Sequence, residues 1–345
     1  MSAANVYTEL KSKLKSVVPD FELRYKSELA EKILRLKRKR NAIILGHNYM
    51  EPALFLSVPD FTGDSLALCR RAAETDKDPI IFCGVRFMAE TAKILNPDKT
   101  VLLPAAEAGC SLAASIAAED VRRLKARYPG VPVVAYVNTY AEVKAEADFC
   151  CTSGNATAVV QAIESDTVIF VPDEYLARNV AHETGKSIVV STANGEEKAG
   201  KSDSRGRIIG WHGRCEVHEK FTVEDVTNAR RQFPDVLILA HPECSPEVVA
   251  AADFAGSTSA MIQQVRLTTA PHYLLLTECS MGDNIVAESP DKEMLRLCSV
   301  RCPHMNQITL EDTLGALEHD RYRIEVPEPI RSRAARSIER MLDHG

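Results

Sequence analysis

Three stretches of this chain repeat one layout. They are AIILGHNYMEPALFLSVPDFTGDSLAL (42–68), VVAYVNTYAEVKAEADFCCTSGNATAV (133–159) and LILAHPECSPEVVAAADFAGSTSAMI (237–262). Each opens on a Val/Ile/Leu-rich run that reads as a strand covered on both faces. A polar cluster follows: His47/Tyr49, Tyr136/Asn138 or His241/Glu243. Next comes an Asp-Phe pair, Asp60-Phe61, Asp148-Phe149 or Asp253-Phe254. Each stretch then reaches a small, hydroxyl-rich turn before a helix: Gly63-Asp64-Ser65, Thr152-Ser153-Gly154 or Ser257-Thr258-Ser259. The spacing repeats too. His47 to Ser65 is 18 positions; Tyr136 to Ser153 and His241 to Thr258 are both 17. Every unit continues with another strand and polar turn (IFCGVRFMAET, VIFVPDEYLARN, LLLTECSMGDN) and later offers one cysteine, Cys110, Cys215 or Cys302. Four features in the same order, three times, constrain the chain to three like domains.

The expected fold class is therefore α/β, with three homologous α/β domains of short parallel sheet in a pseudo-threefold arrangement. The domains are read as 1–128 (N-terminal helices plus the first repeat), 129–233 (the second) and 234–345 (the third plus a C-terminal helix). Strands are expected in AIIL (42–45), PIIFC (79–83), TVLL (100–103), PVVAYV (132–137), TVIFV (167–171), SIVV (187–190), VLILA (236–240) and HYLLL (272–276). Helical stretches between them make βαβ units. Residues 7–40 read as charged helix, with KILRLKRKRN as a solvated face.

With 345 residues the chain exceeds one ordinary core. A hydrophobic content of 45% and 26% charged residues suit a globular enzyme rather than a disordered chain. The net charge of −6 argues against a nucleic-acid platform, and sparse aromatics with one Trp argue against base stacking. No apolar run approaches the roughly 18 residues a membrane span needs. The first residues, MSAANVYTELKSKLKS, lack the apolar segment of a secretion signal. The expected location is the cytoplasm, where the ten cysteines stay reduced.

In open α/β sheets ligands bind beyond the C-terminal strand ends. Three domains about one axis aim three such edges at one place. Ser65, Ser153 and Thr258 then lie at helix starts, where free N–H groups favour anions. One thiolate per repeat would bring Cys110, Cys215 and Cys302 together, although no C-x-x-C motif exists in the chain. Thiolate clusters select zinc, copper(I) or iron–sulfur. A three-cysteine iron–sulfur cluster leaves one iron open as a Lewis acid, whereas structural zinc is normally closed by a fourth ligand.

At these residues the sequence resembles the quinolinate synthase family of NAD biosynthesis. The resemblance runs from about Asn41 to Leu314 through GHNYM, DFTGDSL, GVRFMAETAKILNPDKTVLLP, AGCSLA, YVNTYAEVKAEADFCCTSGNA, HPECSPEV, AGSTSAM and CPHMNQITLE. It implies a [4Fe–4S] cluster held by Cys110, Cys215 and Cys302. It also implies condensation of iminosuccinate (iminoaspartate) with dihydroxyacetone phosphate to quinolinate, phosphate and water. The implied substrate contacts are His47, Ser65, Tyr136, Val137, Asn138, Ser153, His241, Pro242, Glu243 and Thr258. The implied acid–base groups are Tyr49, Tyr136, Glu243, His47 and His241. The unstable imine would come from an aspartate oxidase or aspartate dehydrogenase, with transient contact to that enzyme as the expected protein partnership.

Other residues get plainer readings. Cys298 lies four positions before Cys302 and competes for the third ligand place, or pairs with Cys302 when the cluster is lost; the CPHM context favours Cys302. GEEKAGKSDSRG (195–206) reads as an exposed connector or a loop closing over the site. Cys69, Cys83, Cys150, Cys244 and Cys279 read as buried filler, and Cys151 as filler or pocket lining. His212, His218 and His304 flank the cluster cysteines and read as packing or supporting groups. Arg86 and Lys93 read as phosphate contacts or surface ion pairs. Asp60, Asp148 and Asp253 read as turn formers.

Overall fold

The aspartate of each Asp-Phe pair makes the same double link. In a computed structural model describing residues 3–15, 17–192, 197–199, 206–297 and 300–344, the Asp60 N–H donates to the Ile44 carbonyl (2.8 Å) and the Ile44 N–H donates to Asp60 Oδ2 (2.9 Å). Asp148 repeats this with Val133 (2.9 and 2.8 Å), and Asp253 with Ile238 (2.8 and 2.8 Å). These side chains do more than form turns. Each starts a short strand beside the first strand of its repeat.

The strands are β1 (Ile43–His47), β2 (Phe61–Gly63), β3 (Ile80–Cys83), β4 (Val101–Leu102), β5 (Val133–Tyr136), β6 (Phe149–Cys151), β7 (Thr167–Val171), β8 (Ser187–Ser191), β9 (Glu197–Ala199), β10 (Arg207–Trp211), β11 (Val236–Ala240), β12 (Phe254–Ala255), β13 (His272–Leu276) and β14 (Met294–Leu295). They form three sheets, ordered β2-β1-β3-β4, β6-β5-β7-β10-β8-β9 and β12-β11-β13-β14. All pairings between these strands are parallel except β8 with β9. In each sheet the first four places run second, first, third, fourth. The middle repeat inserts β8 and β9 before its fourth strand, β10, and hangs them on the outer edge. This is the three-domain α/β class expected from the repeat.

Register makes the repeats comparable residue by residue. Phe61 pairs with Leu45, Phe149 with Val134 and Phe254 with Leu239. His47, Tyr136 and His241 are therefore equivalent, as are Tyr49, Asn138 and Glu243, and Ser65, Ser153 and Thr258. The strands expected from the apolar runs are all present. The short β2, β6, β12 and β14 were not foreseen, nor were β9 and β10; at two or three residues the shortest carry no periodicity to read.

Helices cover both sheet faces, which is why β1, β3 and β5 are buried along their whole length. The helix Asp20–Lys39 packs on the helix Leu310–His319. Its basic end is not wholly solvated. Lys37 is buried, donates to the Val58 carbonyl (2.7 Å) and pairs with Asp60 (3.1 Å). The helix Glu328–Leu342 follows the third repeat in the chain but packs on the second. Ala334, Ile338 and Met341 join Val133, Cys150 and Ile169 in one core, and Ser337 donates to the Lys144 carbonyl. No helix among the described residues is long and apolar enough to cross a membrane.

Replacing Asp148 with Ala strands the Val133 N–H and is expected to cost about 1–3 kcal/mol. Asp148→Asn, which keeps an acceptor, is expected to cost less. Denaturant midpoints of the two variants against wild type check the order; an Ala variant as stable as wild type refutes the link.

Candidate active site

Strand ends bring the polar clusters together. β1 ends at His47 and β5 at Tyr136, and His241 follows β11 directly. Tight turns follow the two histidines: the Tyr49 N–H donates to His47 Nδ1 (3.2 Å), and the Glu243 N–H to His241 Nδ1 (3.3 Å). Both Nδ1 atoms act as acceptors, so a neutral ring carries its proton on Nε2. Both rings are buried, and burial is the main reason their pKa values fall, to about 4 for His47 and about 3 for His241.

The three cysteines arrive by a third repeated device. The N–H groups of Arg86, Glu174 and Cys279 occupy equivalent places after β3, β7 and β13. They donate to the carbonyls of Ala108 (2.8 Å), Gly213 (2.8 Å) and Val300 (3.1 Å). Each carbonyl lies two residues before a cysteine: Cys110, Cys215, Cys302. Each sulfur then receives N–H groups from the turn that follows it. They come from Leu112 and Ala113 at Cys110, Val217 and His218 at Cys215, and His304 and Met305 at Cys302. Cys302 is thus the structural counterpart of the other two. Cys298 lies outside the described residues, as does most of 195–206.

One cavity with about 650 Å³ of space, part of it open to solvent, gathers these groups. Its lining includes Cys110, Cys215, Cys302, His47, Tyr49, Ser65, Tyr136, Asn138, Ser153, His241, Glu243 and Thr258. Val137 and Pro242 do not line it. The Val137 N–H donates to the Cys151 carbonyl (2.8 Å), and the Pro242 carbonyl accepts from Asn179 (2.8 Å).

Glu243 is the polar centre. Its Oε1 accepts from the Tyr136 hydroxyl (2.6 Å) and Asn138 Nδ2 (3.0 Å); its Oε2 lies 2.6 Å from His218 Nδ1. Burial pushes the Glu243 carboxyl upward, but the charge and hydrogen bond of His218 outweigh this and hold it well below its usual range. His218 also stacks on His241 with ring centres 4.5 Å apart. Its Nε2 lies 3.0 Å from Thr277 Oγ1, which is 2.5 Å from the Tyr49 hydroxyl. Burial raises both Tyr49 and Tyr136 well above an ordinary phenol. Asn138 Oδ1 is buried without a hydrogen-bond partner.

His218 and Thr277 are the groups that sequence reading undervalued. His218 reads as a supporting neighbour of Cys215, and Thr277 carries no signal at all, since it reaches the site only through β13. Arg86 and Lys93 stay outside the cavity. Arg86 pairs with Glu90 (2.8 Å) and lies over the Tyr140 ring; Lys93 binds the carbonyls of Pro97 and Lys99. His212 binds Glu174 (2.5 Å) and His304 binds Glu216 (3.1 Å). Cys69, Cys83, Cys150, Cys151 and Cys244 are buried in the cores, and Cys279 is half-buried.

Two donor sets compete for a metal. Cys215, His218 and Glu243 have donor atoms within 4.8 Å of one another. Yet the Nδ1–Oε2 distance is 2.6 Å, too short for two ligands of one ion, which at bond lengths of about 2.1 Å stand roughly 3.4 Å apart in a tetrahedron. These groups satisfy each other by hydrogen bonding. The three equivalent cysteines remain. Burial is the main cause that pushes Cys110 to about 12 and Cys302 to about 11, and it raises Cys215 well above an ordinary thiol. Only a cation at the centre would hold all three as thiolates, and the sulfur-directed N–H groups favour that form. The donor set fits a thiolate-bound metal cluster.

A triplicated α/β fold whose sheet edges converge on one cavity of thiols, phenols, imidazoles and a carboxylate defines an enzyme of small-molecule chemistry. The sequence model described as "NadA: Quinolinate synthetase A protein" matches residues 31–343. The chain is 50% identical over 341 residues to quinolinate synthase 2 of Mesorhizobium japonicum, covering 99% of this chain and 98% of that protein. It is 53% identical over 312 residues to quinolinate synthase of Xylella fastidiosa (90% and 86% covered) and 49% over 342 residues to that of Agrobacterium fabrum (99% and 92%). The chain belongs to the quinolinate synthetase A family.

The depressed histidines link folding to pH. The unfolded chain protonates His47 near pH 6.5, the native state only near 4. The unfolded state binds more protons between those values, so stability is lost as pH falls through that window. A loss of about 2–3 kcal/mol from His47 is expected at pH about 4.5. Urea midpoints between pH 7 and 4.5 measure it, and His47→Gln should flatten the slope.

Proposed function

We propose that this chain condenses iminosuccinate with dihydroxyacetone phosphate to quinolinate, phosphate and water, as a cytoplasmic step of NAD biosynthesis. The reading rests on one observation: three structurally equivalent cysteines line the same cavity as the acid–base groups and the three hydroxyl turns. Cys110, Cys215 and Cys302 would hold a [4Fe–4S] cluster. When bound, such a cluster supplies Lewis acidity that helps a hydroxyl leave in a dehydration.

The chain's own groups divide the rest. Ser65, Ser153 and Thr258 open their turns toward the cavity and bind the substrate's anionic groups. Asn138 Oδ1, buried and unpartnered, accepts the N–H of the imine or its enamine form. Tyr136 cannot readily ionise while buried against Glu243; its one proton goes to Glu243 Oε1, which leaves its oxygen to accept from a substrate hydroxyl or N–H. Glu243 orients this group: one oxygen takes Tyr136 and Asn138, the other takes His218. Because the charged form of His218 is what holds Glu243 ionised, the His218–Thr277–Tyr49 chain is a proton donor to the reacting substrate. Tyr49 meets the substrate, and His218, backed by Glu243, supplies a proton through Thr277. His47 and His241, neutral with Nε2–H, serve as hydrogen-bond donors.

The first test is iron and acid-labile sulfide per chain after strictly anaerobic purification, beside Cys110→Ala. About four of each are expected in wild type, with loss in the variant; zinc, or no metal, overturns the cluster. Turnover of the two substrates to quinolinate then tests the reaction. Glu243→Gln is expected to abolish turnover, by at least about a hundredfold, while the cluster spectrum stays intact. Normal turnover in that variant removes Glu243 from the mechanism.

A further inference from the structure

Asn48 stands at the place that Val137 holds in the second repeat and Pro242 in the third. Only the first repeat puts a side-chain amide there. Asn48 is 3% exposed. Its backbone is pinned: its N–H donates to the Gly63 carbonyl (3.1 Å), and Asn284 Nδ2 donates to the carbonyls of Asn48 (3.0 Å) and Met50 (2.9 Å). From this fixed base Nδ2 crosses to the third repeat and donates to Thr258 Oγ1 at 2.9 Å, with Ser259 Oγ at 3.4 Å. The two turns are also tied beside it. Ser257 Oγ donates to Asp64 Oδ2 (2.8 Å), and Ser259 Oγ accepts the Asp64 N–H (3.2 Å).

A threonine hydroxyl has one proton to give. Since Thr258 Oγ1 accepts from Asn48, its own proton is left for an acceptor in the cavity that Thr258 lines. We propose that Asn48 is a positioning residue that presents the Thr258 hydroxyl as a donor to a carboxylate oxygen of the bound dicarboxylate substrate. Ser65 and Ser153 have no such cross-repeat partner in the position equivalent to Asn48, because Val137 and Pro242 carry no side-chain donor. Thr258 is thus the one turn hydroxyl whose direction this position sets. This rests on the substrate reading above.

The test uses holoenzyme and succinate, a non-reacting dicarboxylate, in calorimetric titration, with inorganic phosphate as the second probe. Asn48→Ala is expected to weaken succinate about tenfold, the size of one charge-assisted hydrogen bond. The KM for the imine should rise by a similar factor with kcat within about twofold. Thr258→Val should match it, and the double variant should be no weaker than either single one. Asn48→Asp, equal in size, should bind succinate worse than Asn48→Ala, because a carboxylate takes the Thr258 proton and repels the anion. A merely structural role predicts the opposite order. Phosphate affinity should not change. Wild-type succinate affinity in Asn48→Asp, additive effects, or a loss confined to phosphate overturns the proposal. Wild type that neither binds succinate nor forms quinolinate overturns the substrate reading and this inference with it; wild type that does both, beside unaffected variants, overturns this inference alone.

Discussion

The link from each Asp-Phe aspartate back to the first strand of its repeat is the constraint on which the site depends. A strand of two or three residues has little pairing energy of its own. The aspartate adds a side-chain hydrogen bond to the backbone pair, at Ile44, Val133 and Ile238 alike. That fixes register, and register fixes everything four residues later. Ser65, Ser153 and Thr258 reach equivalent places because Phe61, Phe149 and Phe254 are held opposite Leu45, Val134 and Leu239. A slip of one residue would turn each hydroxyl to the other face.

The cysteines obey a second constraint of the same kind. A backbone N–H after the third strand holds the carbonyl two residues before each thiol, and the following turn aims its N–H groups at the sulfur. Burial opposes the thiolate, while the turn favours it. Between them they leave a place that is costly to ionise in an empty cavity and favourable once a cation sits there. The same low dielectric makes the neighbouring groups act as a unit. Glu243 stays ionised because His218 is against it, and Tyr136 stays protonated because it is buried and Glu243 is against it.

Much of this was legible in the chain. The β1, β5 and β11 runs, the polar residues at their ends, the hydroxyl turns and the three cysteines all carry local patterns that survive in one dimension, and the repetition made each pattern testable against two others. His218 and Thr277 were not legible as site residues. His218 looks like one of three histidines beside the three equivalent cysteines, and only its stacking on His241 and its contact with Glu243 separate it from His212 and His304, which turn to other carboxylates. Arg86, which the sequence offers as a phosphate contact or a surface ion pair, is committed to Glu90 on its own helix. Val137 and Pro242 sit between site residues in the chain but do not line the cavity; the bend and turn that follow β5 and β11 carry them.

By itself the sequence determined that the chain builds one α/β unit three times, and which residue types each copy carries to its strand ends. Apolar runs, turn residues and spacing are local properties, so they can be read without coordinates. Only the tertiary structure decided how the copies differ in use. It set which histidine backs the carboxylate, which loop lies under which thiol, and how Asn48 of the first repeat comes to hold Thr258 of the third, 210 positions away. Those contacts form between repeats, where distance in the chain says nothing about distance in space.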